Sequence, residues 1–223
     1  MPAQLDLVTV SGFYRRCMSG AVIIGAGPGI GQAVARRFAR EGLPVALVAR
    51  TERTMPGAWS FVGDSTDEDA PRAALDAAAA EFGTPDVLVY NAAEIQADAP
   101  GELPARAQLD AWAVNVVGAL TAAAHVAPAM ADRGSGTILV TGGVPEPKPE
   151  YVSLSLGKAG VRTLVALLDG RYGPAGVHVA SVTVAGPGAP GTAFDPDEIA
   201  EHYWDLHTQQ RPWSIEVVHD GGG

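Results

Sequence analysis

Between Ile24 and Gln32 the chain reads Gly25-Ala26-Gly27-Pro28-Gly29-Ile30-Gly31, a loop whose glycines can bring main-chain amides against a pyrophosphate. Gly25 permits a tight turn, Gly29 lets the backbone approach the phosphates, and Gly31 lets the next helix pack closely on the preceding strand. The helix that opens near Ile30 then favours phosphate charge at its amino terminus. At Val48-Ala49-Arg50-Thr51 no carboxylate is available to hydrogen-bond a free ribose 2′-hydroxyl, whereas the guanidinium of Arg50 can grip a 2′-phosphate bidentately. NADP(H) is therefore expected in preference to NAD(H), the alternative for Arg50 being a solvated surface arginine. Lys158 lies in Leu154-Ser155-Leu156-Gly157-Lys158-Ala159-Gly160. Ser155 is the nearest hydroxyl before it, without the reach or acidity of a phenol. Tyr151 stands two helical turns back, about 10 Å along a helix axis, where it can line the mouth of a site or simply pack at a helix start.

These groups need elements to hold them. Short apolar runs at 21–24, 44–48, 59–62, 86–90, 137–141, 177–184 and near 214–218 read as strands. Segments with helical patterning at 31–40, 67–82, 109–130, 152–168 and 197–207 fall between them. Strict alternation predicts right-handed crossovers and an α/β, Rossmann-like, doubly wound parallel sheet of about seven strands with helices on both faces. Its ligand belongs at the carboxyl ends of the strands. Gly and Pro concentrate at strand ends, in Val144-Pro145-Glu146-Pro147-Lys148-Pro149 and in 186–191, as site loops require. One domain over 19–223 is expected. Residues 1–18 do not fit the alternation and read as a disordered or variable extension or a product of start-codon choice, with a functional arm as the alternative.

The chain has 223 residues, 47% of them apolar, enough for one sizeable core. A formal charge of −10, from 25 acidic against 15 basic residues, repels polyanions and argues against nucleic acid as a partner. A single cysteine, Cys17, rules out an intramolecular disulfide and suits a reducing cytoplasm. The amino terminus does not read as a signal peptide. The uncharged stretch 111–131 contains Asn115, Thr121, His125 and Pro128, so it is read as a buried helix packed on both sides rather than a membrane span. His202 and His207 have no evident third ligand, so no metal site is expected.

The order of these signals resembles the short-chain dehydrogenase/reductase family over almost the whole chain from Ser19 onward. Asp64 after the third strand matches the position that contacts adenine, Asn91-Ala92-Ala93 looks like the Asn-Ala-Gly motif after the fourth strand, and Pro187-Gly188 with Thr192 matches the segment that meets the nicotinamide carboxamide. Singly, Asp64 can be a helix cap, Asn91 a turn former and Thr192 a loop hydroxyl. The resemblance implies that Lys158 holds the nicotinamide ribose and that Asn115, in Val114-Asn115-Val116-Val117-Gly118, supports a water relay. It also implies a homodimer or homotetramer through the long helix.

Two positions depart from the family pattern. The tyrosine that transfers the proton, four residues before the lysine, is Leu154 here. The serine after the fifth strand falls on Gly142 in Val140-Thr141-Gly142-Gly143, unless a register shift lets Thr141 supply the hydroxyl. A positioned general acid contributes roughly 10²- to 10⁴-fold and a polarising donor ~10²- to 10³-fold, so ordinary carbonyl reduction should be weak. The leading expectation is an NADP(H)-binding oxidoreductase acting on a small organic carbonyl or alcohol through an atypical site. The alternatives are a catalytically silent cofactor sensor or partner subunit, and a non-redox isomerase or cyclase in which Glu94 acts as base.

Overall fold

The computed structural model describes residues 20–222, so the expectation for residues 1–18 lies outside the described residues. Seven strands, β1 (Ala21–Ile24), β2 (Val45–Ala49), β3 (Trp59–Val62), β4 (Val87–Tyr90), β5 (Gly136–Thr141), β6 (Val177–Val184) and β7 (Glu216–His219), form one sheet in the order β3-β2-β1-β4-β5-β6-β7. Every pairing is parallel. The helices are α1 (Ile30–Arg40), α2 (Asp69–Phe82), α3 (Ala105–Trp112), α4 (Gly118–Arg133), α5 (Val152–Tyr172) and α6 (Pro196–Thr208).

The apolar runs make strands because a parallel sheet is covered on both faces and buries successive residues in opposite directions. Val22, Ile24, Val48 and Leu88 point into the layer of α2, α4 and α5. Their neighbours Ala21, Ile23, Leu47 and Val89 point into the layer of α1 and α6. The second layer is tied at its surface by Arg37 and Arg40 on Glu201, at 2.6 and 2.7 Å, and by Arg36 on Asp197 at 2.6 Å. Strand order reverses between β1 and β4, and the crevice at their carboxyl ends is the place such a sheet offers a ligand.

The observed boundaries mostly differ from the expected ones by one or two residues, and α5 runs on to Tyr172, where a 3₁₀ turn over Gly173–Ala175 ends it. The long helix differs more. It is α3 and α4 joined by a π-helical turn, Ala113–Val117, and only about half of its apolar length is buried. Trp112, Val117 and Leu120 are each more than two-fifths exposed. Among the described residues, the expectation of packing on both sides therefore holds for one side only. By length and composition alone, 105–133 is a helix that could cross a membrane.

Candidate functional site

The glycine loop is shaped by close approaches on one side and openness on the other. Gly25 has φ +84°, a conformation favoured by glycine, and a Cβ there would collide with the main chain of Ala92. A Cβ on Gly31 would lie 2.9 Å from Ala26 Cα and 3.0 Å from Asn91 Nδ2. Gly27 and Gly29, by contrast, face open space.

Asn91, at the end of β4, is the clamp of this region. Its Nδ2 donates to the carbonyl of Gly25 at 2.8 Å, and its Oδ1 accepts from the hydroxyl of Thr141 at 2.8 Å. Tyr203 of α6 lies 2.6 Å from that same hydroxyl. With Thr141 donating to Asn91, the phenol donates to Thr141, and a buried chain runs from α6 through β5 and β4 to the glycine loop. Burial drives the Tyr203 phenol far above its ordinary pKa, so it stays protonated. Sequence reasoning could not find this link, since the two residues are 62 apart.

Two cavities follow the carboxyl edge of the sheet and share Gly27, Asn91 and Ala93 in their walls. The first, about 480 Å³, is lined by Arg50, Arg53, Asp64, Ala92 and Glu94 among others. Asp64 accepts from the amide and the hydroxyl of Thr66, both at 2.9 Å. The Thr66 amide chiefly, with Arg50 adding to it, holds the Asp64 carboxyl below the ordinary carboxylate range. Arg53 was not foreseen from the sequence, although a second guanidinium three residues after Arg50 was there to be noticed. Among the described residues its buried Nε has no hydrogen-bond partner. An orphaned guanidinium donor and two glycines open to the cleft both fit a phosphate-bearing nucleotide. Glu94 lies at this end, among the walls of the first cavity, and does not line the one that holds Lys158. That gives no support to its role as a catalytic base.

The second cavity, about 580 Å³, is lined by Ile30, Gly143, Lys148, Tyr151, Leu154, Lys158, Pro187 and Gly188 among others. Lys158 is buried, and its Nζ donates to the main-chain carbonyl of Thr141 at 2.8 Å. Desolvation pulls its pKa down to about 8. Asn115 sits in the π-helical turn, buried, and exchanges bonds of 3.2 Å with the main chain of Glu94. Gly157 lets α5 close on it, for a Cβ there would be 2.8 Å from Asn115 Cβ. Such π turns frequently mark functional sites.

Leu154 presents an apolar side chain to this cavity, one helical turn before Lys158. The two glycines after Thr141 differ in what surrounds them. A Cβ on Gly142 would crowd Thr183, with Thr183 Cα at 3.1 Å, whereas a Cβ on Gly143 would stand 3.5 Å from Lys158 Cε with no close contact. The residue that faces the lysine is thus Gly143, not Gly142. Thr141 borders the cavity, but its hydroxyl is bonded to Asn91 and Tyr203. Ser155 is turned away: its Oγ accepts from the Lys148 amide at 3.0 Å and donates to the Lys148 carbonyl at 3.3 Å. Thr192 forms a local turn, donating to the Ala189 carbonyl at 2.7 Å and accepting from the Phe194 amide, and is not among the cavity walls. His202 bonds His219 at 3.0 Å and His207 bonds Thr137 at 2.9 Å, so the two histidines turn to different partners.

A parallel sheet with this glycine loop, an asparagine clamp and a buried lysine on the helix after β5 defines a dinucleotide-binding α/β protein. The chain belongs to the short chain dehydrogenase family, whose model matches residues 19–198. Members of that family bind nicotinamide cofactors. Among curated relatives, the chain is 35% identical to cis-4-hydroxycyclohexanecarboxylate dehydrogenase of Sinomonas cyclohexanicum over 79% of its own length and 74% of the relative's. It is 31% identical to glucose 1-dehydrogenase of Gluconobacter oxydans over 78% and 69%. Among solved structures, a metagenomic short-chain oxidoreductase in complex with NADP superposes with a TM-score of 0.81 at 26% identity, covering 92% of this chain and 97% of that one.

Proposed function

We propose that the protein binds NADP(H) and moves a hydride between it and a small organic alcohol or carbonyl, with weak turnover of conventional ketones. What carries this reading is the pair of adjoining cavities, with Arg50 and Arg53 at one end, the glycine loop at the join and the buried ammonium of Lys158 at the other. When bound, the cofactor supplies or accepts the hydride. Arg50 and Arg53 pair with its 2′-phosphate, Gly27 and Gly29 admit its pyrophosphate, and Lys158 holds the nicotinamide ribose. Pro187 and Gly188 border the nicotinamide end. The relatives that act on hydroxycyclohexanecarboxylate and on glucose support a small cyclic alcohol, or the ketone or lactone derived from it, as substrate.

Leu154 limits the rate, because no phenol stands where the substrate oxygen would take or lose its proton. The same residue favours a second reading, in which the protein binds the cofactor and acts as a silent sensor or partner subunit. The exposed face of Trp112, Val117 and Leu120 supports a homodimer or homotetramer, and a cytoplasmic location suits a chain with one cysteine.

Titration with NADPH and with NADH, followed by nicotinamide fluorescence, tests the core of the proposal. NADPH should bind the tighter of the two. Equal affinities would remove the roles given to Arg50 and Arg53, and binding of neither would remove the cofactor site. Steady oxidation of NADPH by ketones then separates the enzyme from the silent binder.

A further inference from the structure

We propose that the substrate end of this site is built for an anion: a small apolar molecule carrying a carboxylate that pairs with the ammonium of Lys148. The inference rests on the cofactor-and-substrate reading above and specifies the substrate class. The chain carries 25 acidic residues against 15 basic ones, yet among the described residues the only charged side chains lining the second cavity are Lys148 and Lys158. Lys158 is buried and tied to the Thr141 carbonyl, which leaves Lys148 as the cation free to meet a substrate. Among the described residues its ammonium has no hydrogen bond and no ion pair, although Glu146 and Glu150 flank it in the loop.

An exposed lysine with a free head is ordinary, but its main chain here is not loose. The Lys148 amide donates to Ser155 Oγ at 3.0 Å, and its carbonyl accepts from that hydroxyl at 3.3 Å and from the Tyr151 amide at 3.0 Å. Pro145, Pro147 and Pro149 stiffen the same loop. Val144, at its start, is held at φ +45°, a conformation a β-branched residue adopts only when its surroundings enforce it. Ser155 thus has a role that the sequence did not suggest: it is a positioning residue for Lys148. Ile95, Val144, Tyr151 and Leu154 supply an apolar wall on the same cavity. In a cleft with one sign of charge and low-dielectric walls the field draws an anion inward, while a neutral alcohol gains nothing from Lys148.

The test compares cyclohexanecarboxylate with cyclohexanecarboxamide, equal in shape and different in charge, by ligand-observed NMR titration of the full chain saturated with NADPH. The carboxylate should bind about fivefold tighter, as expected for a solvent-exposed ion pair. Lys148→Ala should reduce that ratio to about one and Lys148→Arg should keep it, with NADPH affinity unchanged in both. Ser155→Ala should lower the ratio while leaving carboxamide and NADPH binding as they were, a result that general loosening of the fold would not give. Equal binding of the two probes by the wild type, or an unchanged ratio in Lys148→Ala, would overturn the proposal. If NADPH does not bind at all, the cofactor reading fails instead, and the same two-probe ratio measured without NADPH still decides the role of Lys148.

Discussion

Gly143 and Lys158 face each other across the floor of the second cavity, close enough that a Cβ added to the glycine would stand 3.5 Å from the lysine Cε. The contact would be an ordinary van der Waals one, so a serine hydroxyl can be added at 143 beside the ammonium. One turn before the lysine, Leu154 occupies the place from which a phenol would reach the same space. A hydroxyl at 143 and a phenol at 154 would therefore both face the space beside Lys158.

Installing both Gly143→Ser and Leu154→Tyr should raise NADPH-dependent reduction of small ketones by at least ~10²-fold, the low end of what a positioned acid contributes. The absorbance of NADPH reads it directly. Gly142→Ser should behave differently, giving no activity and a lower thermal midpoint, because its Cβ would press on Thr183. No gain from the 143/154 pair would mean that the cavity does not bring substrate and nicotinamide together.

The contrast between 142 and 143 shows where the sequence stops being readable. Alternation of apolar runs and helices discloses the sheet, because strands buried on both faces must be continuously apolar, and Gly25 to Gly31 disclose the crevice at its carboxyl edge. The register of one residue after β5 depends on how Thr183 of the neighbouring strand sits, which no local pattern encodes. Tyr203 joins Thr141 across 62 residues, so composition around either gives no hint of the other. The long helix is alanine-rich on all sides, and such uniformity cannot tell a helix buried all round from one that leaves Trp112, Val117 and Leu120 uncovered.

Arg53 provides a sharper test of cofactor choice than Arg50. A buried, partnerless Nε gains a charge-assisted hydrogen bond when a phosphate arrives, whereas an exposed arginine gains less. Arg53→Ala should weaken NADPH about tenfold, Arg50→Ala less, and neither should change NADH binding. Arg53→Lys should not restore affinity, because an ammonium lacks the fork that offers Nε. Fluorescence titration with both cofactors checks this, and an equal loss for NADH would assign Arg53 to the loop's stability instead.

Asp98 was not singled out by the sequence, yet it holds the amino terminus of α5. Buried, it accepts from the amide and hydroxyl of Ser153, the latter at 2.9 Å, and from Gln108 Nε2 at 3.1 Å. Its charge also complements the positive end of a 21-residue helix. Asp98→Ala strands these donors in the interior and should cost roughly 2 kcal/mol, seen as a lower urea midpoint at unchanged slope. Asp98→Asn keeps an acceptor and should recover part of the loss. An effect within a few tenths of a kcal/mol would show that water replaces the carboxylate freely.

Lys158 makes stability depend on pH in a predictable direction. Desolvation lowers its folded pKa to about 8 from an unfolded value of 10.5, so between those two pH values the unfolded chain holds a proton that the folded chain has released. Stability contributed at this position is therefore lowest below about pH 8 and rises as pH climbs towards 10.5, by about 3 kcal/mol across the window. Lys158→Met, apolar and of similar length, removes the titration. Urea unfolding of wild type and variant at matched pH isolates it, since other ionising groups cancel in the difference. The advantage of the variant should be largest near pH 7 and should shrink steadily above pH 8. A difference that does not change with pH would mean that the ammonium keeps its water when the chain folds, and that its bond to Thr141 does not come with burial.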